Sequence, residues 1–142
     1  MLNTLLKYSW DDFDTDVVKI INYIERSKQK ITAIYAFPRG GLILGVTLSN
    51  ILKIPLYLTL EEALEKHNEA DICICDDISD SGETFNSVFE IENHFTVSLC
   101  MKPKTSFIPN FFCKTVDNDT WIVFPWENHD KINCERDGTL SE

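Results

Sequence analysis

One stretch constrains this chain more than any other. Residues Ile72-Cys73-Ile74-Cys75 are apolar without interruption, and Asp76-Asp77-Ile78-Ser79-Asp80-Ser81-Gly82-Glu83-Thr84 follow at once. A short, wholly apolar run reads as a strand buried on both faces, the mark of a parallel sheet covered by helices. Ser81, Gly82 and Thr84 stand where a turn opens a helix, and Phe85, Val88, Phe89 and Ile91 recur at roughly helical spacing. That pattern predicts a helix to about Asn93. The unit is strand, tight loop, helix, with carboxylates at the carboxyl end of the strand, where open parallel sheets bind ligands.

The rest of the chain repeats the alternation. Ser9 and Asp12 are suited to start a helix. Phe13, Val17, Ile20, Ile21 and Ile24 give that helix one apolar face, ending near Ser27 to Lys30. Ile31 to Phe37 reads as a buried strand, Leu42 to Lys53 as a helix, and Pro55 to Leu60 as a strand. Glu61 to Ala70 is acidic, short and mostly helical in pattern. Phe95 to Met101 is a further strand, Lys102 to Asn110 a loop, and Phe111 to Thr115 and Trp121 to Phe124 two short strands. From Asn128 the tail is polar and expected to fray. Together these predict one α/β domain over residues 1–142, with a central, mainly parallel sheet flanked by helices.

Charge and cysteine content narrow the function. A net charge of −10 argues against a nucleic-acid surface, and an anionic ligand must be drawn in by local groups and a metal. No apolar run approaches the ~18 residues of a membrane span, and Met1 to Trp10 has no secretory-signal pattern. The five cysteines, Cys73, Cys75, Cys100, Cys113 and Cys134, are odd in number, and three lie in apolar runs. They read as free thiols in a reducing, cytoplasmic setting. His67, His94 and His129 have no metal-ligand spacing and are expected to be structural or exposed.

The polar half of the central stretch has a definite chemistry. Unpaired amides at a helix start favour a phosphate. Gly82 lets the backbone approach it, and Ser81 and Thr84 add hydroxyl donors. Asp76 and Asp77 would repel phosphate but suit vicinal hydroxyls or a hard cation. The ligand implied is a phosphorylated sugar. Pro38-Arg39-Gly40-Gly41 forms a second strand-to-helix turn suited to an anion, through glycine amides and the Arg39 fork. Lys102, just after a strand, can donate to a carbonyl oxygen but not to an exocyclic amine. Trp121 offers a flat stacking surface, whereas Trp126 reads as packing.

The stretch Ile72 to Thr84 resembles the PRPP-binding motif of the type I phosphoribosyltransferases. Lys102-Pro103, Thr105-Ser106 and Trp121-Ile122-Val123-Phe124-Pro125-Trp126-Glu127 resemble the xanthine-guanine branch, and the likeness runs from Ser9-Trp10-Asp11 to Glu127. It implies the type I phosphoribosyltransferase fold, with a small hood contributed by the N- and C-terminal segments, and a homodimer or homotetramer. It implies purine salvage: transfer of 5-phosphoribosyl from PRPP to guanine, xanthine or hypoxanthine, giving the nucleoside 5-monophosphate and pyrophosphate. The 5-phosphate falls to Asp80, Ser81, Gly82, Glu83 and Thr84. The ribose hydroxyls and Mg²⁺, direct or through water, fall to Asp76 and Asp77. Pyrophosphate falls to Arg39, Gly40 and Gly41, with a cis Pro38–Arg39 bond. The purine falls to Lys102 at its 6-oxo group, Trp121 on its face, Ile122 through its backbone, and Glu127. Asp80 is the implied proton acceptor.

One departure stands out. Family members carry a long mobile loop between the second and third strands, and here only Glu61 to Ala70 fills that place, without a Ser-Tyr pair. An open site is expected. The alternative readings are a non-catalytic PRPP- or nucleotide-binding regulator, or a transferase for another base.

Overall fold

The computed structural model describes residues 4–127, 129, 132 and 136. In chain order the elements are β1 (Thr4–Lys7), α1 (Trp10–Ser27), β2 (Ala33–Ala36), α2 (Gly40–Leu52), β3 (Leu56–Tyr57), α3 (Leu60–Lys66), β4 (Ile72–Ser79), α4 (Glu83–Asn86), β5 (Phe95–Met101), β6 (Phe111–Thr115) and β7 (Thr120–Val123). The fold is α/β. Strands β3-β2-β4-β5-β6 form one five-stranded sheet, parallel throughout, with the eight-residue β4 at its centre.

Burial on both faces explains the apolar runs. Ile34, Ile72, Ile74, Val97 and Leu99 are each 0% exposed. One face is covered by α1 and α2, through Phe13, Val17, Ile20, Leu44 and Leu48. On the other, Ala63 of α3, Phe85 and Ile91 pack against Ile72 and Ile74. Helix α1 begins in a capping box: the Asp12 amide donates to Ser9 Oγ (3.0 Å) and the Ser9 amide to Asp12 Oδ2 (2.9 Å).

Two expectations change. The helix after the central loop is the single turn Glu83–Asn86, and a 3₁₀ turn at Ile91–Asn93 follows. Glu90 between them is left-handed (φ 52°), which breaks the helical ladder, and Phe89 is 84% exposed. Phe85 and Ile91 still reach the same core without a continuous helix. The strand expected over Pro55 to Leu60 shrinks to Leu56–Tyr57, because Thr59 turns to cap α3 by accepting from the Glu62 amide (3.2 Å).

A second, two-stranded sheet joins the ends of the described chain. β1 pairs in parallel with β7, Leu5 opposite Trp121 and Leu6 opposite Ile122. Beneath it, Tyr8, Trp10 and Phe13 interleave with Phe124 and Trp126, the last two stacked at 4.9 Å. Tyr8 Oη donates to the buried Asp16 Oδ2 (2.6 Å), which Lys114 Nζ approaches at 3.3 Å. Among the described residues no helix is long and apolar enough to cross a membrane. Cys73, Cys75, Cys100 and Cys113 are free, whereas Cys134 and most of the polar tail lie outside the described residues.

Candidate active site

Two cavities adjoin at the carboxyl ends of β2, β4 and β5. One, of about 310 Å³, is lined by Pro38, Gly40, Asp76 and the loop from Ser79 to Gly82 with Thr84. The other, of about 400 Å³, is lined by Lys102, Lys104, Thr120, Trp121 and Ile122. Asp77, Ile78, Asp80 and Glu127 belong to both walls. A larger cavity, about 770 Å³, lies between α3 and the turn at Phe89. Both of its histidines are already engaged: His67 meets Thr32 Oγ1 (2.8 Å) and Tyr57 Oη (3.0 Å), and His94 Nδ1 meets the Glu69 carbonyl (3.0 Å). The acid pair, Lys102 and the loop at Gly82 instead line the smaller, adjoining pair.

The acid pair lies within the second half of β4, which runs on to Ser79. Asp76 is only 8% exposed, and its Oδ1 accepts from the Asp77 amide (2.9 Å). Burial, then the charge of Asp77, pushes the Asp76 carboxyl up to about 8. Asp77 is also raised, chiefly by burial, with Glu127 adding repulsion against the hydrogen bonding that lowers it. Two carboxylates held this close in low dielectric call for a cation or for hydroxyl donors. Among the described residues no three ligating side chains cluster, so substrate oxygens or waters would have to complete a metal's shell. That arrangement fits Mg²⁺.

The turn after β2 approaches so closely that side chains are excluded. A Cβ on Gly40 would fall on the Asp77 carboxylate, and one on Gly41 would lie 2.9 Å from the Cys75 carbonyl. The Pro38–Arg39 peptide is cis. Two features differ from a pair of free glycine amides with an arginine fork. The Gly41 amide is occupied, donating to the Phe37 carbonyl (3.0 Å), and Arg39 is exposed and lines neither cavity.

The loop after β4 turns at Gly82, whose φ of +91° suits a residue without a side chain. Ser81 Oγ accepts from the Glu83 amide (3.2 Å). No hydrogen bond among the described residues engages the Gly82 or Thr84 amide. Because α4 is one turn, its dipole is small, and affinity for an anion must come from the loop amides themselves.

On the other side, Lys102 is 3% exposed, and its ammonium donates to the carbonyls of Thr120 (2.6 Å) and Asn118 (3.2 Å). A lysine has three donors, so one is left for the cavity. Trp121 is 56% exposed on β7 at the cavity wall, and Ile122 is buried beside it. Trp126 belongs to the aromatic cluster. Glu127 Oε1 accepts from the Phe124 amide (3.0 Å), fixing it at the junction of the cavities.

Sequence reasoning missed Lys104, whose Nζ lies 3.3 Å from Asp80 Oδ1, and Asn118, whose carbonyl holds Lys102. The Lys102-Pro103-Lys104 run was the one available signal for the first. Residues 61–70 form α3 and a tight turn, anchored through buried Ala63 and His67, and line neither of the adjoining cavities.

No protein-family model matches the chain. It is 31% identical to the xanthine-guanine phosphoribosyltransferase of Chromohalobacter salexigens, over 84% of this chain and 82% of that one. It is 29% identical to the enzyme of the same name from Desulfotalea psychrophila, over 87% of each. Among solved structures it resembles the purine phosphoribosyltransferase of Pyrococcus horikoshii, with a TM-score of 0.69 and 28% identity over 87% of this chain and 95% of that one.

Proposed function

This chain belongs to the xanthine-guanine phosphoribosyltransferase family, and from that premise we propose that it transfers 5-phosphoribosyl from PRPP to guanine, xanthine or hypoxanthine. The observation that carries the reading is the common wall of the two cavities: Asp77, Asp80 and Glu127 border both the sugar-phosphate side and the Lys102–Trp121 side. A reaction joining a sugar to a base needs both ligands at one boundary.

In this reading the loop of Asp80, Ser81, Gly82, Glu83 and Thr84 takes the 5-phosphate through amides and hydroxyls. Asp76 and Asp77 accept the ribose hydroxyls and would hold Mg²⁺, directly or through water. When bound, the ion would neutralise charge on the departing pyrophosphate. Gly40 lets the turn after β2 lie directly against Asp77, and the pyrophosphate falls to the peptides of this turn, Gly40 and Gly41 included, with Arg39 on the surface side. Lys102 gives its third donor to the 6-oxo oxygen, Trp121 stacks on the ring, and Ile122 and Glu127 border the opposite edge. The bond from ribose carbon 1 to pyrophosphate breaks as that carbon bonds the purine nitrogen. The proton leaving the purine passes to Asp80, which lies at the boundary and is steadied by Lys104.

The whole chain acts as one unit in this proposal, since β7 carries the base wall and β1 supports it. Asn118 and Thr120 hold Lys102 toward a second cavity that a PRPP sensor would not require, which favours an enzyme over a regulator. A cytoplasmic setting and a dimer or tetramer belong to the same proposal. The test is nucleotide formation from purified protein, PRPP, Mg²⁺ and each of four bases: guanine, xanthine, hypoxanthine and adenine. Product with at least one 6-oxopurine is expected, and no product with any of them refutes the reading.

A further inference from the structure

The Thr105–Ser106 pair plays no part in the chemistry described so far, yet it holds the underside of the phosphate loop. The Ser106 amide donates to the Ser81 carbonyl at 2.9 Å, and Ser106 Oγ donates to the same oxygen at 2.8 Å. Asn86 Nδ2 in turn donates to Ser106 Oγ at 2.9 Å, which leaves that hydroxyl's own proton for the carbonyl. Two donors on one carbonyl fix the plane of the Ser81–Gly82 peptide. In a trans peptide the carbonyl and the following N–H point in opposite directions. Ser106 stands outside the sugar-phosphate cavity, whereas Ser81, Gly82 and Thr84 line it. A carbonyl drawn toward Ser106 therefore turns the Gly82 N–H the other way, into the cavity.

Packing enforces the same orientation. A Cβ on Gly82 would lie 2.5 Å from Ser106 Oγ and 2.7 Å from the Phe107 amide nitrogen, so the loop rests on the 105–107 segment without a gap. Ser79 Oγ donates to the Phe107 carbonyl (2.7 Å), anchoring that segment to the end of β4. A glycine with positive φ could otherwise flip this peptide at little cost and present its carbonyl to the ligand.

We infer that Ser106, held by Asn86, is a positioning residue that locks the Ser81–Gly82 peptide so that the Gly82 amide faces the 5-phosphate of a bound sugar phosphate. The inference rests on the reading of this loop as the 5-phosphate cradle. The segment that performs it begins at Lys102, so the base-binding and phosphate-binding sides share one support.

The test uses the full chain and two probes, ribose 5-phosphate and inorganic pyrophosphate, with PRPP as the complete ligand. Ser106 is exposed, so Ser106→Ala should fold with an unchanged melting temperature. Its affinity for ribose 5-phosphate and PRPP should fall about fivefold, the scale of one hydrogen bond. Affinity for Mg²⁺–pyrophosphate and KM for the purine should stay as in the parent. Ser106→Thr, which keeps the hydroxyl, should restore binding, and Asn86→Ala should reproduce part of the loss. Parental affinity for ribose 5-phosphate in Ser106→Ala overturns the inference, as does an equal loss for pyrophosphate or a Thr variant as weak as the Ala variant. If the unaltered protein binds no ribose 5-phosphate, the cradle reading itself fails and this inference with it.

Discussion

Replacing Asp76 by asparagine separates what the acid pair costs the fold from what it does for a ligand. The Asp76 carboxyl is held at about 8 instead of 3.8, by burial first and by Asp77 second. A carboxyl raised in the native state binds its proton more tightly folded than unfolded. Its stability contribution is therefore complete below the unfolded value and is lost as pH climbs toward the folded one. At about 1.4 kcal/mol per unit, the ceiling on that loss between pH 4 and pH 8 is about 5 kcal/mol. Rearrangement of the pair brings the expected figure to about 2–4 kcal/mol. Asparagine keeps the shape, can still accept from the Asp77 amide (2.9 Å to Oδ1 in the parent), and has no proton to lose. In metal-free urea unfolding, Asp76→Asn should exceed the parent by about 2–4 kcal/mol at pH 8, with the gap closing toward pH 4. Mg²⁺-dependent PRPP binding should be lost in the same variant. A variant no more stable than the parent at pH 8, or a gap independent of pH, would refute the reasoning.

Other consequences follow from the same geometry. Binding of Mg²⁺ with PRPP below pH 8 should release a proton from the Asp76–Asp77 pair, visible as a buffer-dependent heat in calorimetry. Lys102→Met should leave the Asn118 and Thr120 carbonyls without a donor, costing about 1–3 kcal/mol of stability, and should abolish 6-oxopurine use without gaining adenine. Adenine turnover in the parent comparable to that with guanine would contradict the role of Lys102. Trp121→Ala should raise the KM of the base about tenfold or more and leave stability nearly unchanged, whereas Trp126→Ala should cost about 3 kcal/mol of stability. Because α3 lines neither adjoining cavity, PRPP should be hydrolysed measurably without a base, and turnover should be slower than in long-loop relatives. Loss-free PRPP in a stopped assay would show that another element excludes water.

The parts legible in the sequence are those where local chemistry and burial coincide. The runs at Ile72 and Phe95 are largely apolar because both faces of β4 and β5 are covered, and their shortness favours strand over helix. The capping box at Ser9 and the apolar stripe of α1 are likewise local. β1 was invisible because its four residues are all exposed and its partner lies over a hundred positions away. The stop after Asn86 was hidden because Phe85, Val88 and Ile91 keep helical spacing while Glu90 turns left-handed. The residues suited to the site chemistry could be named from motifs, but their second contacts could not. Nothing in the spacing tells that Lys104 meets Asp80, that the Gly41 amide is spent on Phe37, or that Ser106 holds the Ser81 carbonyl. Those contacts depend on how separate loops settle at the ends of the strands.

The pairing of β1 with β7 also sets an order of events during synthesis. The ribosome delivers β1 first, yet its partner emerges only after every strand of the five-stranded sheet is complete at Thr115. Chains generally begin folding from the N-terminal side as they appear. The acid pair and the loop after β4 can therefore take shape before the wall bearing Trp121 has left the ribosome. Ribosome-bound chains ending at Thr115 and followed by a linker long enough to carry β6 out of the exit tunnel should already protect β4 from protease, and an unprotected sheet in that chain would undo the expectation. On the proposed reading, a chain cut short before β7 would keep the pocket for the sugar phosphate and lose the wall that receives the base.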